Sequence, residues 1–111
     1  MVTVAVARDF NRYPGGRYPR HGKGNGEDFR KNHLLPLLES DQAVEVVLDD
    51  AAAGFPASFL EEAFGGLVRE GLSLEKIRHL LTITAESEDS EVYRDEAWQY
   101  IAEAADREIS H

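Results

Sequence analysis

Three short apolar segments, separated by stretches of helical periodicity, constrain this chain more than any other feature. They are "VTVAVARDF" (2–10), "AVEVVLD" (43–49) and "LLTITA" (80–85). Each is rich in β-branched residues and is bounded by turn-formers, the pattern of a strand. Between the first two lies "EDFRKNHLLPLLES", where Phe29, His33 and Leu37 recur at i, i+4 with Leu34 and Leu38 beside them. Between the second and third lies "SFLEEAFGGLVREG", with Phe59, Ala63 and Leu67 on one stripe and Leu60, Phe64 and Val68 alongside. Such stripes predict helices with one buried face. Strands that alternate with helices pair in parallel through right-handed crossovers, so the pattern predicts an α/β fold. The near-continuous apolar run at 43–49 predicts a central strand covered on both faces.

Local signals refine the elements. Ser58 with Glu61 three residues on reads as a capping box at the start of the second helix. Gly65 and Gly66 in mid-helix predict close packing against another backbone. Pro36 lacks a backbone donor and predicts a distorted last turn in the first helix. Ser73 caps a short turn at "SLEKIRHL", and Gly71 ends the helix before it. "SEDSEVYRDEAWQYIAEAADREI" predicts a terminal helix with Val92, Tyr93, Ala97, Tyr100, Ile101, Ala104 and Ala105 inward. "GRYP" (16–19) reads as a short edge strand ended by Pro19.

The chain has 111 residues, the size of one domain spanning 1–111. Its apolar and charged fractions of 42% and 30% are those of a soluble globular protein. It has no cysteine, no membrane-length apolar run and no signal-peptide pattern, which together point to the cytoplasm. The net charge of −9 argues against nucleic-acid or membrane-surface binding. The charge is uneven, however. Residues 8–33 hold seven of the 12 Lys and Arg but three of the 21 Asp and Glu.

That basic stretch contains "GGRYPRHGKGNGEDFR" (15–30). Glycines followed by a helix resemble a phosphate-cradling loop, but the spacing satisfies neither a P-loop nor a dinucleotide fingerprint. What the residues support is a looser anion site. Arg17, Arg20, His21 and Lys23 would supply charge, and Gly24 and Gly26 would let backbone N–H groups converge. The competing reading is that Glu27 and Asp28 already satisfy the helix terminus.

Other constellations carry less. His21, His33, His79 and His111 lack the i, i+4 pairing of a helical zinc site, and His33 reads as a core residue. Asp49 and Asp50 point to opposite faces of an extended chain, so a turn outweighs a cation site. Glu86, Glu88, Asp89 and Glu91 read as a solvated helix start. No nucleophile elbow is present and no acid–base pair can be assembled, so the reading is a non-enzyme without cofactor or metal.

Two separated motifs carry a resemblance. Gly16-Arg17-Tyr18, then Gly22 through Gly26-Glu27 with Phe29-Arg30, form the first. Asp49 with Gly54-Phe55-Pro56-Ala57-Ser58-Phe59-Leu60-Glu61-Glu62-Ala63-Phe64-Gly65 forms the second. In this order they resemble the bacterial STAS-like family of unknown function, DUF4325, over about residues 1–85. The resemblance implies a mixed four- or five-stranded sheet with helices mainly on one face, as in anti-sigma-factor antagonists. It implies a regulatory module that binds a protein partner, often a GHKL-type ATPase or kinase, and a phosphorylatable serine before a helix. The family's serine run is Pro56-Ala57-Ser58 here: the switch is lost if the modifiable position corresponds to Ala57 and survives, with Ser58 as the candidate, if it corresponds to Ser58. Phe55, Pro56, Phe59 and Leu60 are then the expected partner-binding residues. A phosphate or nucleotide ligand on the 15–26 loop is the alternative.

Overall fold

The structure, a computed structural model, describes residues 1–109; His111 lies outside the described residues. Three strands form a sheet: β1 (Val2–Ala5), β2 (Val44–Val47) and β3 (Leu81–Thr84). The order is β1-β2-β3, and both pairings are parallel, with Val4 opposite Val46 and Val46 opposite Ile83. Helix α1 covers residues 26–39 and α2 covers 57–69. The seven-residue α3 (Leu74–Leu80) leads into β3, and α4 (Glu88–Ile109) ends the chain. Ser73 caps α3 as expected, its Oγ accepting the Lys76 N–H at 3.1 Å.

Each crossover moves one strand in the same direction. Right-handed connections of that kind place α1 and α2 on the same face of the sheet. Burial follows: Val4, Val44, Val46, Leu81 and Ile83 are buried, while Thr3 and Thr82 between them are exposed. The central strand is therefore covered on one face, not two. On the bare side, Glu45 accepts from the Thr3 hydroxyl at 3.2 Å and the Thr84 hydroxyl at 2.7 Å.

The sheet corrects the expected four or five mixed strands to three parallel ones among the described residues. The segment expected to add an edge strand instead forms a 3₁₀ turn at Pro19–His21, which the Tyr18 carbonyl closes by accepting the His21 N–H at 2.8 Å. The chain after β1 also leaves the sheet early. The Asp9 carboxylate accepts the Ala5 N–H at 2.8 Å, and Val6–Phe10 closes as a π turn through Asn11 N–H to Val6 O.

Helices α1 and α2 are each interrupted by a π turn, at Arg30–Leu34 and Glu61–Gly65. The first precedes Pro36, whose missing N–H and ring forbid a regular α-turn there. The helix recovers as Leu35–Glu39, so the proline distorts it without ending it.

Phenylalanines fill the space between the helices. The Phe29 ring lies 5.8 Å from Phe59 and 6.4 Å from Phe64, and all three are fully buried. Each such side chain contributes roughly 1.5–3 kcal/mol by leaving water. His33 packs on this cluster, 5.4 Å from Phe10 and 5.7 Å from Phe29, the core role expected of it. On α4, Ala97, Ile101, Ala104 and Ala105 face inward as expected, with Tyr93 and Tyr100 half-buried. Val92 does not: it is 56% exposed.

Candidate functional site

The loop after β2 turns at the carboxyl end of the sheet and delivers the chain to α2. Asp49 anchors its start. Its oxygens accept from the Glu86 N–H at 3.0 Å and the Ser87 N–H at 3.1 Å, tying the end of β2 to the approach to α4. Burial opposes its charge, but these N–H groups and the hydroxyls of Ser87 and Ser90 outweigh it and hold the carboxyl below its ordinary range. Asp49 thus serves as a structural tie. Among the described residues no group of three or more His, Cys, Asp or Glu could hold a metal.

Asp50 and Gly54 adopt φ of 71° and 74°. Gly54 is required twice over, because a Cβ there would run into the Tyr93 hydroxyl. Phe55 then dives inward, its ring 5.7 Å from Phe59 and 5.4 Å from Tyr93. Beside this loop opens a crevice of about 550 Å³, with Leu48, Phe55 and Tyr93 in its walls and Asp50, Glu88 and Asp89 on its lining.

The expected capping box does not form. Pro56, extended at ψ 148°, is the N-cap, and Ala57 is the first helical residue. The Pro56 carbonyl accepts from Phe59 N–H at 3.1 Å and Leu60 N–H at 3.2 Å. Ser58 sits half-buried in the first turn with no capping bond. Among the described residues, the N–H groups of Ala57 and Ser58 have no acceptor. Glu61 is turned away from Ser58 to two arginines instead.

Those arginines belong to a wider network. Arg17 Nη1 lies on Glu61 Oε1 at 2.5 Å and 3.5 Å from Glu62 Oε1. Arg69 Nη1 binds Glu61 Oε2 at 2.7 Å. Burial opposes the Glu61 charge, but bonds from Arg69 and Arg17 prevail and lower its pKa. Buried Arg30 binds the Glu62 side chain at 2.8 Å and the Glu62 carbonyl. Its Nε finds no hydrogen bond, with Glu70 at ion-pair distance, 3.5 Å. Gly66 makes this possible, since a Cβ would occupy the space of the Arg30 guanidinium. Gly65 lies against the Tyr100 carbonyl of α4, the close backbone approach the glycine pair predicts.

The basic loop is arranged otherwise than an anion cradle. Gly26 N–H donates to Gly16 O, Glu27 N–H to Arg17 O, and Phe29 N–H to Asn25 O. Asp28 N–H donates to the Asn25 side chain at 2.9 Å. Every N–H of the first turn of α1 is occupied. Arg17 is committed to the two glutamates. Gly24 and Gly26 serve packing: a Cβ at Gly24 would lie 2.5 Å from Tyr13 O, and one at Gly26 2.7 Å from Phe59 O. His21 Nδ1 accepts from Tyr18 N–H at 3.2 Å and Arg17 N–H at 3.3 Å. Arg20, over the Tyr18 ring at 4.8 Å, and Lys23 remain exposed.

The expected partner-binding set also divides. Pro56 is exposed, but Phe55, Phe59 and Leu60 are 4%, 0% and 0% exposed and belong to the core. The spacing of Phe59 and Leu60 is that of the buried stripe, and Pro56 is the one of the four that is open to contact. The two motifs do meet: Gly15 abuts Pro56, and Gly26 abuts Phe59, Glu62 and Ala63.

Residues 25–91 match the family model described as a STAS-like domain of unknown function, DUF4325. The chain belongs to that family. The DUF4325 match takes in α1, β2, α2, α3, β3 and the start of α4, and thus the whole 48–56 loop and the crevice beside it. It starts at Asn25, after most of the Gly-rich loop. No curated protein and no solved structure matches the chain. No helix among the described residues is long and apolar enough to cross a membrane.

Proposed function

We propose that this DUF4325 chain is a non-catalytic regulatory module. It binds a partner protein through the 49–56 loop and the first turn of α2, and phosphorylation of Ser58 switches that contact. The observation that carries this reading is the start of α2, where Ser58 stands beside two N–H groups without acceptors. A helix N-terminus of this kind favours a phosphate on its first turn by charge and by hydrogen bonding. Glu61 and Glu62, one turn on, would oppose a phosphate, but Arg17, Arg30 and Arg69 already neutralise them.

A GHKL-type kinase suits such a module. The γ-phosphoryl group of ATP passes to Ser58 Oγ, the hydroxyl proton goes to solvent and ADP leaves. The exposed residues Ala52, Ala53, Pro56 and Ala57 offer the contact surface around it. The alternative, a phosphate or nucleotide on the 15–26 loop, keeps Arg20, His21 and Lys23 as exposed groups but has no free N–H in the first turn of α1. The test is mass spectrometry of the protein isolated from its native cells across growth and stress conditions. The expected result is phosphate on Ser58 in at least one of them. Ser58 unmodified throughout would sink the switch.

A further inference from the structure

The crevice beside the 50–55 loop has a composition that points to one class of occupant. Half-buried Tyr93 and exposed Val92 give it its apolar surface; Leu48 and Phe55, also on its lining, are 1% and 4% exposed and present almost none. Three carboxylates line it, those of Asp50, Glu88 and Asp89, and no cationic side chain does. None of the three makes a hydrogen bond or an ion pair among the described residues. That sets them apart from Glu61, Glu62, Glu70 and Asp49, which are all engaged. Arg8 and Arg12 border a separate depression that shares Asp50 with the crevice, and the Arg8 guanidinium is held by Asp9 at 2.9 Å. Val92, one of the few large apolar side chains exposed in the molecule, lines the same crevice.

From this we infer that the crevice seats a lysine or arginine side chain of a partner protein, flanked by apolar residues. The inference rests on the partner-binding reading above and names the partner's chemistry. Charge complementarity selects the cation. The stem of a long basic side chain packs along Tyr93 and Val92 while its head stays among carboxylates, and the Tyr93 ring adds an attractive face for the cation. An anionic ligand meets three unpaired like charges here. The crevice lies at the carboxyl ends of β2 and β3, and about 550 Å³ is within the range of natural binding sites.

The experiment is an NMR titration of the whole ¹⁵N-labelled chain with the capped tripeptide Ac-Leu-Arg-Leu-NH₂. Its counterparts carry citrulline or glutamate in place of arginine. The arginine peptide should shift amides of residues 50–55 and 87–93. Its binding should weaken about tenfold in the Asp50→Asn, Glu88→Gln, Asp89→Asn triple variant, as expected for losing several solvent-exposed charge contacts. Added salt should weaken it as well. These isosteric changes at exposed sites leave the fold intact, which the dispersion of the same spectra checks. Equal binding of the citrulline peptide, an unaffected triple variant, tighter binding of the glutamate peptide, or no localised shift at millimolar peptide would each overturn the proposal. So would shifts of these same amides on simple dilution, which would make a second copy of the chain the occupant. Ser58→Ala should bind the arginine peptide like the parent. Failure to find phosphate on Ser58 in cells therefore leaves this result standing, and the converse holds too.

Discussion

At the start of α1 every backbone donor is occupied, and at the start of α2 two have no acceptor among the described residues. Both helices follow loops rich in turn-formers, and both loops carry half of a two-part motif. The difference lies in what the loops do with their own polar groups. Before α1, the chain folds back so that Gly16 O and Arg17 O accept from Gly26 and Glu27, and buried Asn25 caps Asp28. Before α2, Pro56 sets the entry angle but brings no side-chain acceptor. A closed terminus is a structural joint. An open one leaves donors for something that is not part of the chain. The glycine-rich, basic loop therefore braces the second loop, which is why the proposed function rests on the second loop.

The brace is most sharply tested at Arg30. Its guanidinium is buried against Glu62 of α2, so Arg30→Ala leaves a buried carboxylate without its principal partner. Breaking a buried pair in this way costs about 3–5 kcal/mol. Thermal or urea unfolding should show the loss, and the residual attraction of Arg17 for Glu62 at 3.5 Å will not restore it. If Arg30→Ala unfolds within about 0.5 kcal/mol of the parent, the spread of ordinary surface changes, α1 does not brace α2 and the comparison fails.

A second test sets the two termini against each other. The Asn25 side chain accepts from Asp28 N–H and donates to Gly22 O and Asp28 Oδ2, both at 2.8 Å. Asn25→Ala should cost about 1–2 kcal/mol for the lost cap and the orphaned loop carbonyl. Ser58→Ala should change stability by less than about 0.5 kcal/mol, because its hydroxyl caps nothing. Urea unfolding of the two variants side by side checks the ratio. Equal losses would mean that Ser58 is an ordinary helix cap and that the α2 terminus is not open.

The strand–helix alternation was legible because it rests on local periodicity, as were the cap at Ser73, the distortion at Pro36 and the glycine pair at Gly65 and Gly66. The Arg30–Glu62 pair was not, since it joins residues 32 apart that share no local pattern. The sheet size was misjudged because "GRYP" has strand-like residues but spends its polar groups on the Tyr18–His21 turn. Ser58 was misread as the N-cap because serine three before glutamate fits that role wherever Glu61 is free, and here Arg17 and Arg69 claim it. The spacing of Phe59 and Leu60 places them on the buried stripe, and the structure holds both there with Phe55. The crevice carboxylates, Asp50 against Glu88 and Asp89, meet only through the parallel β2–β3 pairing.

The smallest effect is the most diagnostic. Ser58→Asp places a carboxylate at the open terminus, where it should add about 0.3–1 kcal/mol through the helix dipole and the two free N–H groups. The sign with pH follows from that interaction. A carboxylate stabilised in the folded state has its pKa lowered there, so the gain is complete above the ordinary aspartate value near 3.8 and vanishes as pH falls through the lowered folded value. Asp49 and Glu61, whose folded pKa values are also lowered, make the parent itself lose stability in the same acid range. The measurement is therefore the difference in unfolding free energy between variant and parent, followed from neutral pH into acid. A positive difference that disappears in acid, with no such gain for Ser58→Asn, marks an anion held by the terminus. A difference that is negative at neutral pH means that Glu61 and Glu62 repel charge at this position despite their arginines, and a phosphate there would be repelled more strongly.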